Sequence, residues 1–385
     1  MNYPKNLDAA LKWDYKFWST QPVPKLKEKS FIDGPIMNEM KSEEIRNTPY
    51  ELVDGFEWSL INFNNDNNVI EISEFLDKYY VEEHYSPEFI KWMYANKEHI
   101  GVAVRYSQNK TIIGFICGKV VKMQVNKMKL DMIEINLLCV HPKLRRKRLV
   151  PILIKEITRQ FNLKGYFHGV YTDVLYLPSP IITVNYYHRA INLDTLLETG
   201  FTKLDSTHDL ENIKKILKLP KKNSNNFKRM ELQHLDVVYD LFNKYMDKYN
   251  YHPIYTKDEF KHIFLDNQFV FSYVFENEGG DVIDFASYYT MPTRVLVKNE
   301  KHKFINKGYL FYYTCNNMTA YRIINELLIA GSLNKIDVFD AINIMENESI
   351  LKELKFEEGT GMLHYYFYNW KTKPLKNIQV GTILM

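Results

Sequence analysis

The sequence predicts a mixed α/β chain of the α+β kind, built from two halves of similar element order, and three observations carry that prediction. A succession of strand, turn, helix and strand occurs twice, in 111–177 and again in 307–345. Between them lies KLPKKNSNNFKR (218–229), polar, basic and broken by Pro220, which reads as a boundary. The chain has 385 residues, 45% hydrophobic and 15% aromatic, enough apolar side chain for two cores. The expected division is therefore 1–217 and 218–385.

Each element follows from its residues. TIIGFICGKVVKMQVNKMKLDMIEINLLCVH reads as two long strands rich in Ile and Val that turn near Asn126. The basic turn PKLRRKR leads into LVPILIKEITRQFNL, whose apolar spacing is helical and whose Pro151 is tolerated only in a first turn. YFHGVYTDVLYL reads as a strand, and YYHRAINLDTLLETGF as a helix closed by Gly200. After the boundary, MELQHLDVVYDLFNKYMDKY is an amphipathic helix, and TKDEFKHIFL opens with a Thr256/Glu259 capping box. QFVFSYVFE and DVIDFASYYTMP are strands around the turn NEGG. KGYLFYYTCNN, MTAYRIINELLIAGSL and IDVFDAINIM then give strand, helix and strand.

The totals exclude several classes. A formal charge of +3 gives no global case for nucleic acid. Cys117, Cys139 and Cys315 are odd in number, far apart and without metal-ligand spacing, so neither a disulfide framework nor a metal site is expected, and a cytoplasmic setting is. The first residues lack the apolar run and cleavage site of a secretory signal, and no stretch reaches the roughly 20 apolar residues of a membrane span.

Chemistry concentrates in EINLLCVHPKLRRKRLVPILIKEI (134–157). A strand that turns into a helix leaves the first helical N–H groups aimed outward at the positive end of the dipole, where anions bind. Lys143, Arg145, Arg146, Lys147 and Arg148 crowd that turn, which suits a phosphate-bearing ligand as well as a solvated basic face. The other unusual stretch is the end, NIQVGTILM, apolar to Met385 where chain ends are ordinarily polar and mobile. Either this tail completes a sheet, or the Met385 carboxylate has a role.

At these residues the sequence resembles the glycylpeptide N-myristoyltransferases, of the GNAT-type acyltransferase superfamily. Their E-[IV]-N-[FL]-L-C-V-H strand matches 134–141, and their R-x-K-R-L-[AT]-P turn matches 145–151 apart from Val150. YKFWSTQPVP (15–24), YTDVLYLPSPIITVNYYHRAIN, DVFDAINIMEN, KFEEGTGMLHYYFYNW and VGTILM match further family stretches in order, from residue 15 to 385. The resemblance implies two tandem GNAT-like halves related by pseudo-two-fold symmetry, with a saddle-shaped mixed sheet flanked by helices. It implies an acyl-CoA-binding half (1–217) and a peptide-binding half (218–385) whose final strand returns to the active site.

The implied activity is transfer of myristate from myristoyl-CoA, as acyl donor, to the α-amino group of an N-terminal glycine of protein substrates. The Met385 carboxylate is implied as the base, the main-chain N–H groups of Leu137 and Leu138 as the oxyanion hole, and Thr172 as a neighbour of the incoming amine. Coenzyme A contacts are implied at Tyr15, Lys16, Phe17 and Trp18, at Leu138, Cys139 and Val140, and at Arg145, Arg146, Lys147, Arg148, Leu149, Val150 and Pro151. Peptide contacts are implied at Val81, Glu82, Glu83, Tyr186, His188, Ser287 and Asp340, and around Gly359, Thr360 and Gly361. Direct attack on the thioester needs no acyl-enzyme, so Cys139 reads as packing and His141 as a structural partner. The resemblance further implies a monomer, no direct nucleic-acid binding and no membrane span, and leaves ribosome association open.

The chain departs from the family pattern in places. The acidic lid runs from Glu83 straight to His84 and is several residues short. Asp340 stands where asparagine is usual, so that, were it buried beside Met385, one of the two acids would have a raised pKa. Glu357 and Thr360 alter the glycine-rich loop that helps read a substrate lysine. Two other readings fit the basic turn without the rest: a short-chain GNAT acetyltransferase, and a noncatalytic acyl-CoA- or RNA-binding module.

Overall fold

The computed structural model describes residues 4–28, 32–80, 83–94, 97–204, 209–297 and 299–385. The first half comprises α1 (Leu7–Ala10), β1 (Gly34–Pro35), β2 (Phe56–Ile61), α2 (Asp66–Tyr79), α3 (Pro87–Tyr94), β3 (His99–Tyr106), β4 (Ile112–Val125), β5 (Met128–Val140), α4 (Leu149–Asn162), β6 (Gly169–Asp173), β7 (Ile182–Ala190), α5 (Leu193–Glu198) and α6 (Leu210–Leu217). The second comprises β8 (Phe227–Arg229), α7 (Leu235–Met246), β9 (Tyr251–Pro253), α8 (Lys257–Phe264), β10 (Val270–Glu276), β11 (Val282–Arg294), β12 (Phe304–Tyr313), α9 (Ala320–Leu333), β13 (Val338–Ile342), α10 (Asn347–Ile350), β14 (Glu357–Tyr368) and β15 (Trp370–Lys371).

Most strands join one mixed sheet, 13-stranded among the described residues, in the order β2-β3-β4-β5-β6-β14-β7-β13-β12-β11-β10-β8, with β9 on β4. Read inward from either edge the pattern repeats. Antiparallel neighbours lead to a parallel pair, β5 with β6 on one side and β12 with β13 on the other. Each parallel pair is bridged by a long helix, α4 or α9, as parallel strands require a crossover. At the centre the halves exchange strands: β14 of the second half pairs with β6, and β7 of the first pairs with β13. One apolar core accordingly runs through both halves, from Phe63, Phe115 and Leu137 to Phe242, Tyr312 and Phe339.

The sequence reading holds for the hairpin, the helix with Pro151 in its first turn, and the Thr256/Glu259 capping box. It fails in two places. Tyr186–Ala190 belong to strand β7, not to a helix, which is confined to Leu193–Glu198. Alternating burial along β7 and neighbours on both sides, β13 and β14, override the helical spacing. Residues 380–385 form no strand either: Val380 makes a single bridge to Tyr251, and the rest are held by scattered hydrogen bonds.

Candidate active site

A cleft of about 1560 Å³ runs along the first half and across the centre of the sheet. The segment Tyr15–Trp18 borders it at one end. Tyr15 donates its hydroxyl to Tyr176 O at 2.5 Å, and Trp18 stacks on Tyr171 at 5.6 Å, which in turn stacks on Tyr366 at 5.0 Å. Leu137–Val140, Arg145, Arg146, Leu149 and Pro151 line the same cleft, as do Thr172, Glu83, Tyr186 and Met385.

The floor is shaped by a β-bulge. The β4–β5 ladder pairs Phe115 with Cys139 and Cys117 with Asn136, so Leu137 and Leu138 together oppose the single residue Ile116. Leu137 pays for this with φ of 56°, the left-handed region that a branched-chain residue rarely enters. The bulge takes main-chain groups of β5 out of the ladder, and Leu137 and Leu138 both line the cleft. Cys139 beside it is buried, which pushes its thiol up to about 11; it is protonated at neutral pH and unsuited to nucleophilic attack.

The basic turn is strained in the same sense. Arg146 and Arg148 have φ of 69° and 62°, and Arg148 is the residue that starts α4. Both arginines adopt the left-handed conformation that glycine enters freely, at a cost of about 1–2 kcal/mol per residue. Arg145 anchors the turn, donating Nε to Val140 O at 3.1 Å and a terminal nitrogen to Tyr79 O at 2.9 Å. His141 Nδ1 accepts from Lys143 N at 3.2 Å, so this histidine braces the turn. Lys147 is exposed and lies off the cleft. Replacing Arg148 by glycine is expected to raise the melting temperature by about 2 °C and to raise KM for acyl-CoA roughly fivefold; calorimetry and steady-state kinetics check the two signs together.

The chain end enters from the other half. Tyr251 O on β9 accepts from Gly381 N at 2.8 Å and from Thr382 Oγ1 at 3.1 Å, and Ile383 N donates to Tyr312 Oη at 3.1 Å. At Met385 an oxygen accepts from Asn136 Nδ2 at 2.6 Å, and Met385 N donates to Glu134 Oε1 at 3.4 Å. Glu134 also accepts from Asn136 at 2.9 Å and pairs with Lys119 at 3.5 Å, all well buried or half-buried. Sequence reasoning assigned no role to Glu134, Asn136 or Lys119. The signal was there: Glu134 and Asn136 are polar side chains two apart on the face of the strand that otherwise carries Met128, Leu130 and Met132.

Asp173, next to Thr172, also borders the cleft; burial raises its pKa, although it accepts from Leu175 N at 2.8 Å. Asp340 is buried, and its charged partners are a histidine and a lysine rather than Met385. Its carboxylate takes His188 Nδ1 at 2.7 Å and Lys307 Nζ at 3.4 Å, and the acid near Met385 is Glu134.

His188 lies two residues beyond Tyr186 on the same face of β7, and Gly359, Thr360 and Gly361 bulge out of β14 above it. A Cβ at Gly359 would come within 2.6 Å of His188 Nε2, so only glycine admits that approach. Ser287 stands apart. Its fully buried hydroxyl donates to Tyr312 O at 2.8 Å and accepts from Tyr312 N at 3.1 Å, so its one proton is spent within the sheet. Val81 and Glu82 lie outside the described residues. Glu83 bridges to Thr293 of β11 and accepts from Tyr85 Oη at 2.8 Å, so this residue is seated on the second half. Among the described residues no group of His, Cys, Asp and Glu is arranged to hold a metal, and no helix is long and apolar enough to cross a membrane.

Comparison with known proteins agrees along the whole chain. Residues 35–184 match the N-terminal domain, and 198–382 the C-terminal domain, of myristoyl-CoA:protein N-myristoyltransferase. Glycylpeptide N-tetradecanoyltransferase of Plasmodium falciparum is 36% identical over 99% of this chain and 96% of its own length. A Danio rerio relative, glycylpeptide N-tetradecanoyltransferase 2, is 37% identical over 99% of this chain and 79% of its own. The crystal structure of Saccharomyces cerevisiae N-myristoyltransferase with bound myristoyl-CoA superposes with a TM-score of 0.90 at 31% identity, covering 97% of this chain and 99% of that one. The bulged strand, the basic turn and the chain end that meet in one cleft thus sit on a fold shared throughout its length, and the chain belongs to the myristoyl-CoA:protein N-myristoyltransferase family.

Proposed function

We propose that the protein transfers the tetradecanoyl group of myristoyl-CoA to the α-amino group of an N-terminal glycine. The carrying observation is the convergence of the Leu137–Leu138 bulge, the basic turn and Met385 on a single cleft. In this reading the first half holds the acyl donor, with the Trp18 and Tyr171 stack at one end, the cations of the turn on its phosphates and the apolar wall receiving the chain. The second half presents the peptide past Tyr186 toward His188.

A terminal amine has a pKa of about 7.7–8.0 and is largely ammonium at neutral pH. The Met385 carboxylate takes one proton from it, and the neutral nitrogen attacks the thioester carbonyl. As the C–N bond forms, negative charge gathers on the carbonyl oxygen against main-chain N–H groups of the bulge. The C–S bond then breaks, and the thiolate leaves as coenzyme A carrying the amine's second proton. A free carboxyl is a weak base for this task, its pKa roughly 4 units below the amine's. Protein substrates bearing an N-terminal glycine are the partners of this reading, and ribosomes, a monomeric state and a cytoplasmic location are further proposals consistent with it.

Incubation with myristoyl-CoA and peptides beginning in glycine or alanine tests the activity. Acylation of the glycine peptide alone is expected, by a margin of about 10²-fold or more in kcat/KM. Equal acylation of both, or preference for acetyl-CoA, would sink the reading in favour of a short-chain acetyltransferase.

A further inference from the structure

The two halves repeat more than their strand order. In the first, Ile116 of β4 faces the two bulged residues Leu137 and Leu138 of β5. In the second, the β11–β12 ladder pairs Ala286 with Tyr313 and Tyr288 with Leu310, so Ser287 faces Phe311 and Tyr312 across an equivalent bulge. Past each bulge the chain hydrogen-bonds back to the preceding strand, one residue sooner in the second half: His141 N donates to Ile113 O, and Thr314 N to Phe285 O, both at 2.9 Å. A turn, a long helix and a parallel strand follow in both halves.

The contents of these matched places differ. The first bulge borders the cleft, and the turn after it carries five cations. In the second half the bulge is closed by Ser287, which holds both the N–H and the carbonyl of Tyr312. The turn TCNNMT (314–319) has no cation at all. Its main-chain N–H groups at Asn316, Asn317 and Met318 all converge on the carboxylate of Asp284, at 2.7, 2.9 and 2.7 Å, and Thr314 Oγ1 adds a fourth donor at 3.2 Å. Asp284 is wholly buried. Three successive N–H groups closing on one anion form the kind of nest that elsewhere grips phosphate. At the matching point of β4, one residue before Ile113, stands Ile112, which has no charge to offer.

We infer that the second half is a closed copy of the acyl-CoA-binding half, its phosphate nest filled from within by Asp284 and its bulge sealed by Ser287. With nest and bulge both occupied from within, the matched turn of the second half offers no phosphate site. The inference rests on the proposal that the first half holds acyl-CoA. Its test reads stability rather than transfer, so it stands or falls separately from the chemistry assigned to Met385.

Asp284→Ala, Asp284→Asn and the wild type are melted with coenzyme A present at saturation, in chloride, acetate or inorganic phosphate at matched ionic strength. Asp284→Ala is expected to melt about 3–6 °C below wild type and to regain at least half of that loss in about 100 mM acetate or phosphate. Wild type should shift by under about 1 °C on the same change of anion. Asp284→Asn fills the nest with an amide and should be destabilised without rescue. A second buried cavity variant, Val274→Ala on the neighbouring strand β10, leaves the Asp284 carboxylate and its N–H donors in place and is the control for general salt effects. The inference is overturned if acetate and phosphate help Asp284→Ala no more than Val274→Ala, or if Asp284→Asn melts with wild type. If Asp284→Ala does not accumulate folded, the same comparison is made on its refolding yield from urea. Acetate and phosphate should then raise that yield more than they raise the yield of Val274→Ala, and an equal rise in both overturns the inference.

Discussion

Adding Gly-Ser-Gly after Met385 should lower kcat by about 10²–10⁴-fold, the span that loss of a positioned base ordinarily costs. The extension replaces a carboxylate by an amide, which cannot accept the ammonium proton, and forces extra chain into a site already filled by Asn136 and Glu134. Affinity for myristoyl-CoA should stay within about threefold, because uniform binding of the donor is separate from the proton transfer. Stopped-flow measurement of the chemical step, with donor binding followed in parallel, distinguishes the two. Full-rate transfer by the extended chain would remove Met385 from the mechanism and leave Asp173 or Glu134 as the acids to be tested in the cleft.

Gly381→Ala is the second large effect. A Cβ at this position would lie 2.6 Å and 2.9 Å from two ring carbons of Tyr249. That ring cannot retreat: Tyr249 is buried, packs against Tyr245 at 5.9 Å and donates its hydroxyl to Glu346 at 2.7 Å. The backbone of 381 must move instead, stretching the Gly381 N to Tyr251 O bond and shifting Met385. A displacement of about 1 Å at a reacting group costs about 10²-fold in rate. The expected signature is a fall of that order in kcat with donor affinity retained and the melting temperature lowered. A folded Gly381→Ala enzyme with wild-type kcat would mean that the placement of the chain end is irrelevant to turnover.

Much of the fold was legible because the local signals were strong. The β4–β5 hairpin declares itself through its Ile- and Val-rich run, α4 through its spacing and Pro151, and α8 through the Thr256/Glu259 box that the structure reproduces atom for atom. Strand β7 misled because TVNYYHRA packs between two strands distant in sequence, a tertiary fact that spacing cannot report. The site divided along the same line. Main-chain features such as the Leu137 bulge and the Arg148 turn lie where the motif said, whereas side-chain partnerships did not follow from it. Asp340 pairs with His188 and Lys307, Ser287 serves Tyr312, and Asn136 meets Met385, because each partner arrives from another strand or from the chain end, across separations of 25 to 249 residues.

The exchange of β7 and β14 across the middle of the sheet bears on how the chain is made. Until 357–368 have left the ribosome, β6 and β7 each lack a neighbour, and two rows of unpaired main-chain groups remain open to the wrong strand. Ordering of the sheet must wait for pairings of very high sequence separation, Phe367 with Val170 among them, which makes assembly slow relative to a chain whose contacts are local. Closure of the sheet is therefore a single late event, in which 357–368 satisfies β6 and β7 together.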